Sequence, residues 1–129
     1  MAKKSVVRSE QAPAPFAGAP YSQAIRVGDL VFVSGQIPLR PGSTELVGRT
    51  ITEQTEQVFT NLRAILEAAG SGLDRLVKTT VYLKDLADFA AMNEVYKKHA
   101  VSDPPARATV QVVALPAGAL VEVEAVAHL

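Results

Sequence analysis

The feature that most constrains the fold is an amphipathic segment in the middle of the chain. Thr50 and Glu53 have the spacing of a capping box, in which each side chain accepts a hydrogen bond from a backbone N–H of the other residue. Gly70 supplies the positive φ with which many helices end. Between them, apolar or small side chains recur at helical spacing, at Ile51, Thr55, Val58, Leu62, Ile65 and Ala69. The sequence therefore predicts a long helix over residues 50–70 whose apolar face must be covered by a second layer.

Strand-like segments on both sides of this helix supply that layer. We predict five strands, over residues 23–27, 30–35, 77–83, 106–114 and 120–128. The first two form a tight hairpin in which Gly28 takes positive φ. Asp85 caps a second helix over residues 86–100, whose shared face is formed by Leu86, Phe89, Asn93, Tyr96 and Ala100. The order ββαβαββ predicts an α+β fold, in which one sheet carries both helices on one face.

The length and composition indicate a single domain that needs neither disulfides nor a membrane. The 129 residues fit one domain, 1–129, in which residues 1–12 form an N-terminal arm or first strand. Thirteen basic residues balance 13 acidic ones, which argues against a nucleic-acid or membrane-surface footprint. Cysteine is absent, no apolar run approaches the ~20 residues of a membrane span, and no secretory signal is visible. We expect a soluble, cytoplasmic protein.

Arg107 stands at the start of a predicted strand, in the stretch PPARATVQV of residues 104–112. On that strand Arg107 and Thr109 point to one side, while Ala108 and Val110 point to the other. The position alone favours an exposed strand edge for the arginine. The alternative is an anion site, because a guanidinium offers a planar, bidentate fork to a carboxylate.

The last predicted strand carries two carboxylates on one side. Glu122 and Glu124 alternate with the apolar or small residues Val121, Val123, Ala125 and Ala127. Two like charges at this spacing usually indicate a solvated face. A carboxylate in a cleft would instead position or activate water. The sequence leaves both interpretations open.

Other polar residues do not decide the chemistry either. Tyr21 lies in a predicted loop and is either a lid over a ligand or a packing residue. Ser34 precedes Gly35, but neither a nucleophile elbow nor a convincing base accompanies it. His99 and His128 are interpreted as surface residues, and two isolated histidines make a poor metal site. These residues by themselves do not name a reaction, and no metal or cofactor motif accompanies them.

Taken together, several segments resemble the RidA family of reactive-intermediate deaminases. The matching segments, in family order, are PYSQAI, VFVSGQIP, NLRAILEAAG, VKTTVYLKDLADFAAMN, PPARATVQV and LVEVEAVA. They cover residues 13–127, and the combination of SGQIP, PPAR and the final E-x-E strand is highly specific. The resemblance implies a chorismate-mutase-like α+β fold assembled as a homotrimer, with ligand clefts between subunits.

The same resemblance implies an activity. Family members hydrolyse enamine and imine intermediates, such as those formed from 2-aminoacrylate, to 2-keto acids and ammonia without a metal or cofactor. The implied enzyme is a 2-iminobutanoate/2-iminopropanoate deaminase, linked in function to the pyridoxal-phosphate-dependent serine and threonine dehydratases that release such imines. A non-catalytic trimer that binds a keto acid or an amino acid is the alternative. An endoribonuclease role, attached to some relatives, finds little support in the balanced charge.

The resemblance also assigns the site residues. It implies that Arg107 binds the substrate carboxylate, that Glu122 positions water and that Tyr21 closes over the cleft. The remaining implied substrate contacts are Thr109, through its backbone, Ser34, Gly35 and Asn93. Three features depart from the family pattern. Thr109 stands where several relatives have cysteine, Ala19 stands where glycine usually precedes the Pro-Tyr pair, and the second helix ends in KKHA where many relatives have aromatic residues. If the backbone at Ala19 needed positive φ, alanine would be strained there and would shift the Tyr21 loop.

Overall fold

The computed structural model describes residues 3–129 and consists of one six-stranded sheet with two α-helices on one face. The strands are β1 (Lys4–Val7), β2 (Ala24–Val27), β3 (Leu30–Gln36), β4 (Leu76–Leu83), β5 (Ala106–Gln111) and β6 (Val121–His128), and the helices are α1 (Ile51–Ala68) and α2 (Phe89–His99). The order across the sheet is β1-β2-β3-β6-β4-β5, antiparallel except for the parallel pair β4–β5. The predicted α+β class is confirmed, and β1 precedes the predicted ββαβαββ order.

Helix α1 begins and ends as the sequence predicts. Thr50 Oγ1 accepts a hydrogen bond from the Glu53 N–H at 3.2 Å, and the Glu53 carboxylate accepts bonds from the Thr50 hydroxyl at 2.9 Å and the Arg49 N–H at 3.4 Å. These bonds hold the pKa of Glu53 below its ordinary value. Gly70 follows the helix with a φ of +87°. Among residues 3–129, no helix is long and apolar enough to cross a membrane.

Helix α2 differs from the prediction in its start and in its buried face. Residues 86–88 form a 3₁₀ turn, capped by Asp85, before the α-helix begins at Phe89. A 3₁₀ turn has three residues per turn, so it shifts the phase on which the predicted face depends. Leu86, in this turn, remains 46% exposed. Phe89, at the first position of α2, is 39% exposed, and the buried residues of α2 are Met92, Val95 and Tyr96. The predicted face is therefore not buried in its N-terminal half.

The helices cover only one face of the sheet. From Thr79 onward on β4, and along β6, the buried side chains face the helices, and they are Thr79, Val81, Leu83, Val121, Val123, Ala125 and Ala127. The opposite face keeps apolar side chains partly exposed, with Phe32 at 43% and Val110 at 42%. On β5, Arg107 and Thr109 turn toward the helices, while Ala108 and Val110 turn away from them. The strand thus presents its polar side to the helix layer and its apolar side to the uncovered face.

Candidate functional site

A cavity of about 290 Å³ opens between β3, β6 and the loop that follows β1. Four of the residues implied by the resemblance line it, namely Tyr21, Ser34, Gly35 and Glu122. Most of the remaining wall is apolar and includes Pro13, Phe16, Ile37, Leu39 and Pro116. The Ser34 hydroxyl donates a hydrogen bond to the Ser22 carbonyl at 2.6 Å, which orients it as part of the wall. A small, largely apolar cavity with a few convergent polar groups is typical of a small-molecule site.

The Glu122 carboxylate lies directly over the backbone of Gly35. A Cβ atom at Gly35 would lie 2.8 Å from Glu122 Cδ, closer than real Cβ atoms approach their neighbours. Glu122 is half-buried, and this burial, reinforced by the charge of Glu124, raises the pKa of the Glu122 carboxyl group. A carboxyl group whose pKa is raised inside a cavity is suited to proton transfer.

Glu124 has different surroundings, although it shares one side of β6 with Glu122. It is exposed and does not line the cavity around Glu122. The Tyr82 hydroxyl donates a hydrogen bond to Glu124 Oε1 at 2.5 Å. This bond, together with partial burial and the charges of both glutamates, raises the pKa of Tyr82 to about 12. The carboxylate of Glu122 therefore faces the cavity, whereas that of Glu124 is hydrogen-bonded to Tyr82.

The loop that carries Tyr21 shows no strain at Ala19. The positive φ of this loop, +77°, belongs to Gly18 and not to Ala19. The Tyr21 hydroxyl accepts a hydrogen bond from the Phe16 N–H at 3.3 Å, and its side chain is 44% exposed at the rim of the cavity. The alanine that departs from the family pattern is thus compatible with this loop.

Arg107 belongs to a second cluster, between β5 and α2. Its Nη1 donates a hydrogen bond to Asn93 Oδ1 at 2.7 Å, and its guanidinium carbon lies 4.7 Å from the centre of the Tyr96 ring and 5.5 Å from that of Phe89. None of the salt bridges among residues 3–129 involves Arg107, so its charge faces a neutral amide. Thr109 has a buried hydroxyl with no hydrogen-bond partner among the described residues. A guanidinium without a carboxylate partner is suited to bind an anion.

The two clusters lie on opposite faces of the sheet. Arg107 pairs with Thr79 of β4, on the helix-covered face, whereas Glu122 pairs with Tyr82 of β4, on the uncovered face. Arg107 and Glu122 are also separated within the sheet. Two strand spacings, about 10 Å in all, lie between their strands, and three residues along β4, again about 10 Å, lie between their pairing positions. Within one chain, therefore, Arg107 and Glu122 cannot contact the same small molecule.

The expectation that His99 is a surface residue is wrong. Its ring stacks on the buried ring of Phe59 with a centroid distance of 4.9 Å and an interplanar angle of 5°. Its Nε2 lies 3.0 Å from Glu56 Oε2. Both contacts join α2 to α1, so only the packing of the two helices reveals them. His128, by contrast, is exposed as expected.

The sequence placed Phe89 and Tyr96 on the shared face of the second helix, but it did not connect these aromatic residues with Arg107. A signal for them was present, because Phe89 and Tyr96 stand four residues before and three residues after Asn93. This spacing brings all three to one side of a helix. What the spacing could not indicate is that β5 would bring Arg107 to that side.

Comparison with known proteins identifies close relatives. The family model described as Endoribonuclease L-PSP matches residues 10–129. A RutC family protein of Pyrococcus abyssi is 52% identical over 125 residues, which are 97% of each chain. The chloroplastic Reactive Intermediate Deaminase A of Arabidopsis thaliana is 48% identical over 98% of this chain and 67% of its own. A Mus musculus protein named 2-iminobutanoate/2-iminopropanoate deaminase is 45% identical over 96% and 90%.

Solved structures match over almost the whole chain. The crystal structure of yeast YEO7 has a TM-score of 0.92 and 44% sequence identity, and covers 98% of both chains. The crystal structure of E. coli TdcF with bound serine has a TM-score of 0.91 and 36% identity, over 97% of this chain and 98% of its own. The similarity therefore includes both the cavity around Glu122 and the cluster around Arg107.

Proposed function

Because the chain belongs to the RidA family, matched by the Endoribonuclease L-PSP family model, we propose that it is a 2-iminobutanoate/2-iminopropanoate deaminase. Water adds to the C=N carbon of a small 2-imino acid, and the adduct loses ammonia to give the 2-keto acid. Water is the only co-reactant in this balance, and the proposal includes no metal or cofactor. The enzyme would act in the cytoplasm on imines released by pyridoxal-phosphate-dependent serine and threonine dehydratases.

The observation that carries this proposal is the uncompensated charge of Arg107. A 2-imino acid presents one carboxylate, and a guanidinium binds a carboxylate through two parallel hydrogen bonds. Asn93 accepts one hydrogen bond from Nη1, and the other guanidinium donors have no protein partner among residues 3–129. The Thr109 backbone would add to this anion site.

Glu122 would supply the proton transfers. As a carboxylate it orients a water toward the imine carbon and accepts a proton from it, then returns the proton to the departing nitrogen. Its raised pKa, caused first by burial, supports this exchange. Tyr21 would close over the substrate, with Ser34 and Gly35 forming the wall beside Glu122. Holding substrate and water together lowers the barrier further.

We also propose that the complete site forms between subunits of a homotrimer. Since Arg107 and Glu122 lie on opposite faces of one sheet, a shared substrate requires them to come from different subunits. The uncovered sheet face, with Phe32 and Val110 partly exposed, offers apolar surface for that contact.

A second candidate function is a trimer that binds a keto acid or amino acid without catalysis. The bound serine of E. coli TdcF favours it, because serine has the carboxylate but no imine. Glu122→Gln separates the two functions, since it would stop hydrolysis and leave carboxylate binding intact. The endoribonuclease description of the family model receives no comparable support from a chain whose formal net charge is +0.

The test couples the purified protein to a serine or threonine dehydratase. Semicarbazide traps the imine that the dehydratase releases, and the rate of 2-keto acid formation is compared with and without the protein. We expect faster keto-acid formation and less trapped imine. If neither dehydratase reaction is accelerated, the deaminase proposal is wrong and the binding function is favoured.

Variants at the anion site, measured in the same assay, test whether Arg107 binds the substrate carboxylate. Arg107→Ala should abolish the acceleration because the carboxylate loses its anchor, whereas Thr109→Ala should have a small effect because its backbone remains. Asn93→Asp keeps the arginine but pairs it with a carboxylate, so it should also lose most activity. An Arg107→Ala variant that clears imine as fast as the wild type would refute the role of this arginine.

A further inference from the structure

Tyr96 connects Arg107 to the core of the domain. Its side chain is 7% exposed, and its ring meets the buried Phe59 ring edge to face at 5.3 Å and 89°. Its hydroxyl shares a hydrogen bond of 2.6 Å with Thr79, which is fully buried on β4. The Arg107 guanidinium lies over this ring at 4.7 Å from its centre. The ring under the arginine is therefore held at its edge by one side chain and at its hydroxyl by another.

We infer that Tyr96 is a positioning residue for carboxylate binding, and that its ring holds the Arg107 guanidinium in its binding orientation. This inference rests on the anion site of the proposed function. The guanidinium carbon lies over the Tyr96 ring, and Asn93 accepts a hydrogen bond from one of the guanidinium nitrogens. The cation–π contact and this bond restrict the guanidinium and leave its other N–H donors for the ligand.

The arrangement has a consequence for ligand choice. An arginine that is already oriented loses less conformational freedom when it binds a ligand. A planar carboxylate in the plane of the guanidinium therefore gains the most binding free energy from this arrangement. The effect concerns holding the substrate and not the proton transfers at Glu122. Loss of the ring should therefore raise KM for the imine while kcat changes little.

The experiment measures binding of pyruvate to the intact protein by titration calorimetry, with thermal unfolding of each variant as a control. Tyr96→Leu removes the ring beneath Arg107 and should weaken pyruvate binding about fivefold or more. Tyr96→Phe keeps the ring and loses only the bond to Thr79, so its dissociation constant should stay within about twofold of the wild type. Val58→Ala, a core change in α1, should lower the unfolding temperature without changing pyruvate binding.

Several results would overturn the inference. The inference is wrong if Tyr96→Leu binds pyruvate as tightly as the wild type does, or if Val58→Ala weakens pyruvate binding as much as Tyr96→Leu does. It is also wrong if the wild type binds no pyruvate. If Tyr96→Leu does not fold, Phe89→Leu at the partly exposed second ring should weaken binding about twofold and Phe89→Tyr should not; equal affinities would count against the inference. If the variants bind pyruvate with the expected order of affinities but the protein hydrolyses no imine, the inference stands and the deaminase function is wrong.

Discussion

At the scale of single residues, the candidate site depends most on the space above Gly35. This glycine does not have positive φ, so its backbone conformation is open to other residues. It is needed because the Glu122 carboxylate occupies the position of a Cβ atom. The glycine of the SGQIP motif thus leaves the space in which the carboxylate lies.

Gly35→Ala should displace Glu122 and leave the fold intact. The added methyl group and the carboxylate cannot occupy the same volume, so the carboxylate must move away from its position. A misplacement of this size can cost about 10²-fold in kcat/KM, which the coupled imine assay measures. If the loss acts through Glu122, the double variant Gly35→Ala/Glu122→Gln should be no slower than Glu122→Gln alone. Additive losses in the double variant would show that Gly35 acts by another route.

At the scale of elements, β6 carries both the core and the candidate catalytic carboxylate. Its alternation buries four small or apolar side chains against the helices and turns Glu122 and Glu124 to the uncovered face. Because the two carboxylates share a side, the charge of one acts on the other. Burial contributes most to the raised pKa of Glu122, and Glu124 contributes the rest.

Glu124→Gln should move the acid limb of the kcat/KM profile to lower pH. The neutral amide removes the like charge, so the pKa of Glu122 falls and its carboxylate form persists in more acidic solution. The shift should be partial because burial remains. Tyr82→Phe is the matched control, since it removes the bond to Glu124 but keeps the charge. A limb that stays in place or moves to higher pH in Glu124→Gln would contradict this account.

The raised pKa of Glu122 also makes the free energy of unfolding depend on pH, in a direction that follows from the shift. The folded-state pKa of Glu122 lies above its ordinary value, so the folded chain binds this proton more tightly than the unfolded chain. The contribution to the free energy of unfolding is complete below the unfolded-state pKa and is lost as pH rises through the folded-state pKa. Glu122→Gln would remove this pH dependence.

At the scale of the whole molecule, the sheet separates the anion site from the acid–base site. The helix layer holds Arg107 through α2, and the uncovered face holds Glu122 beside the N-terminal loop. In the proposed function, one chain therefore contains both halves of the site without containing a complete one. This makes assembly a condition for activity in the proposed function.

Two inactive variants should restore activity when they assemble together. In a trimer formed from equal amounts of Arg107→Ala and Glu122→Gln, about one quarter of the sites would combine an intact arginine from one subunit with an intact glutamate from the next. The variants are unfolded together, refolded as a mixture and compared in the imine assay with each variant refolded alone. Activity near one quarter of the wild type supports the shared site, and no recovery in verified mixed trimers would contradict it.

Local patterns alone were enough to predict the elements. Capping chemistry and helical spacing predicted α1, and alternation predicted which residues of β5 and β6 share a side. These patterns could be used because each depends only on residues a few positions apart. The family motifs also named the residues that now form the two clusters. The exposure of Leu86 was missed because residues 86–88 form a 3₁₀ turn before α2 begins.

Only the tertiary structure decided which side of each strand faces the helices and which site residues come together. Alternation assigns Arg107 and Glu122 to one side of their own strands, but it does not relate those sides to each other. That relation comes from the pairing of β4 with β5 in parallel and with β6 antiparallel, between segments far apart in the chain. The pairing puts the arginine against Tyr96 and the glutamate over Gly35, on opposite faces of one sheet.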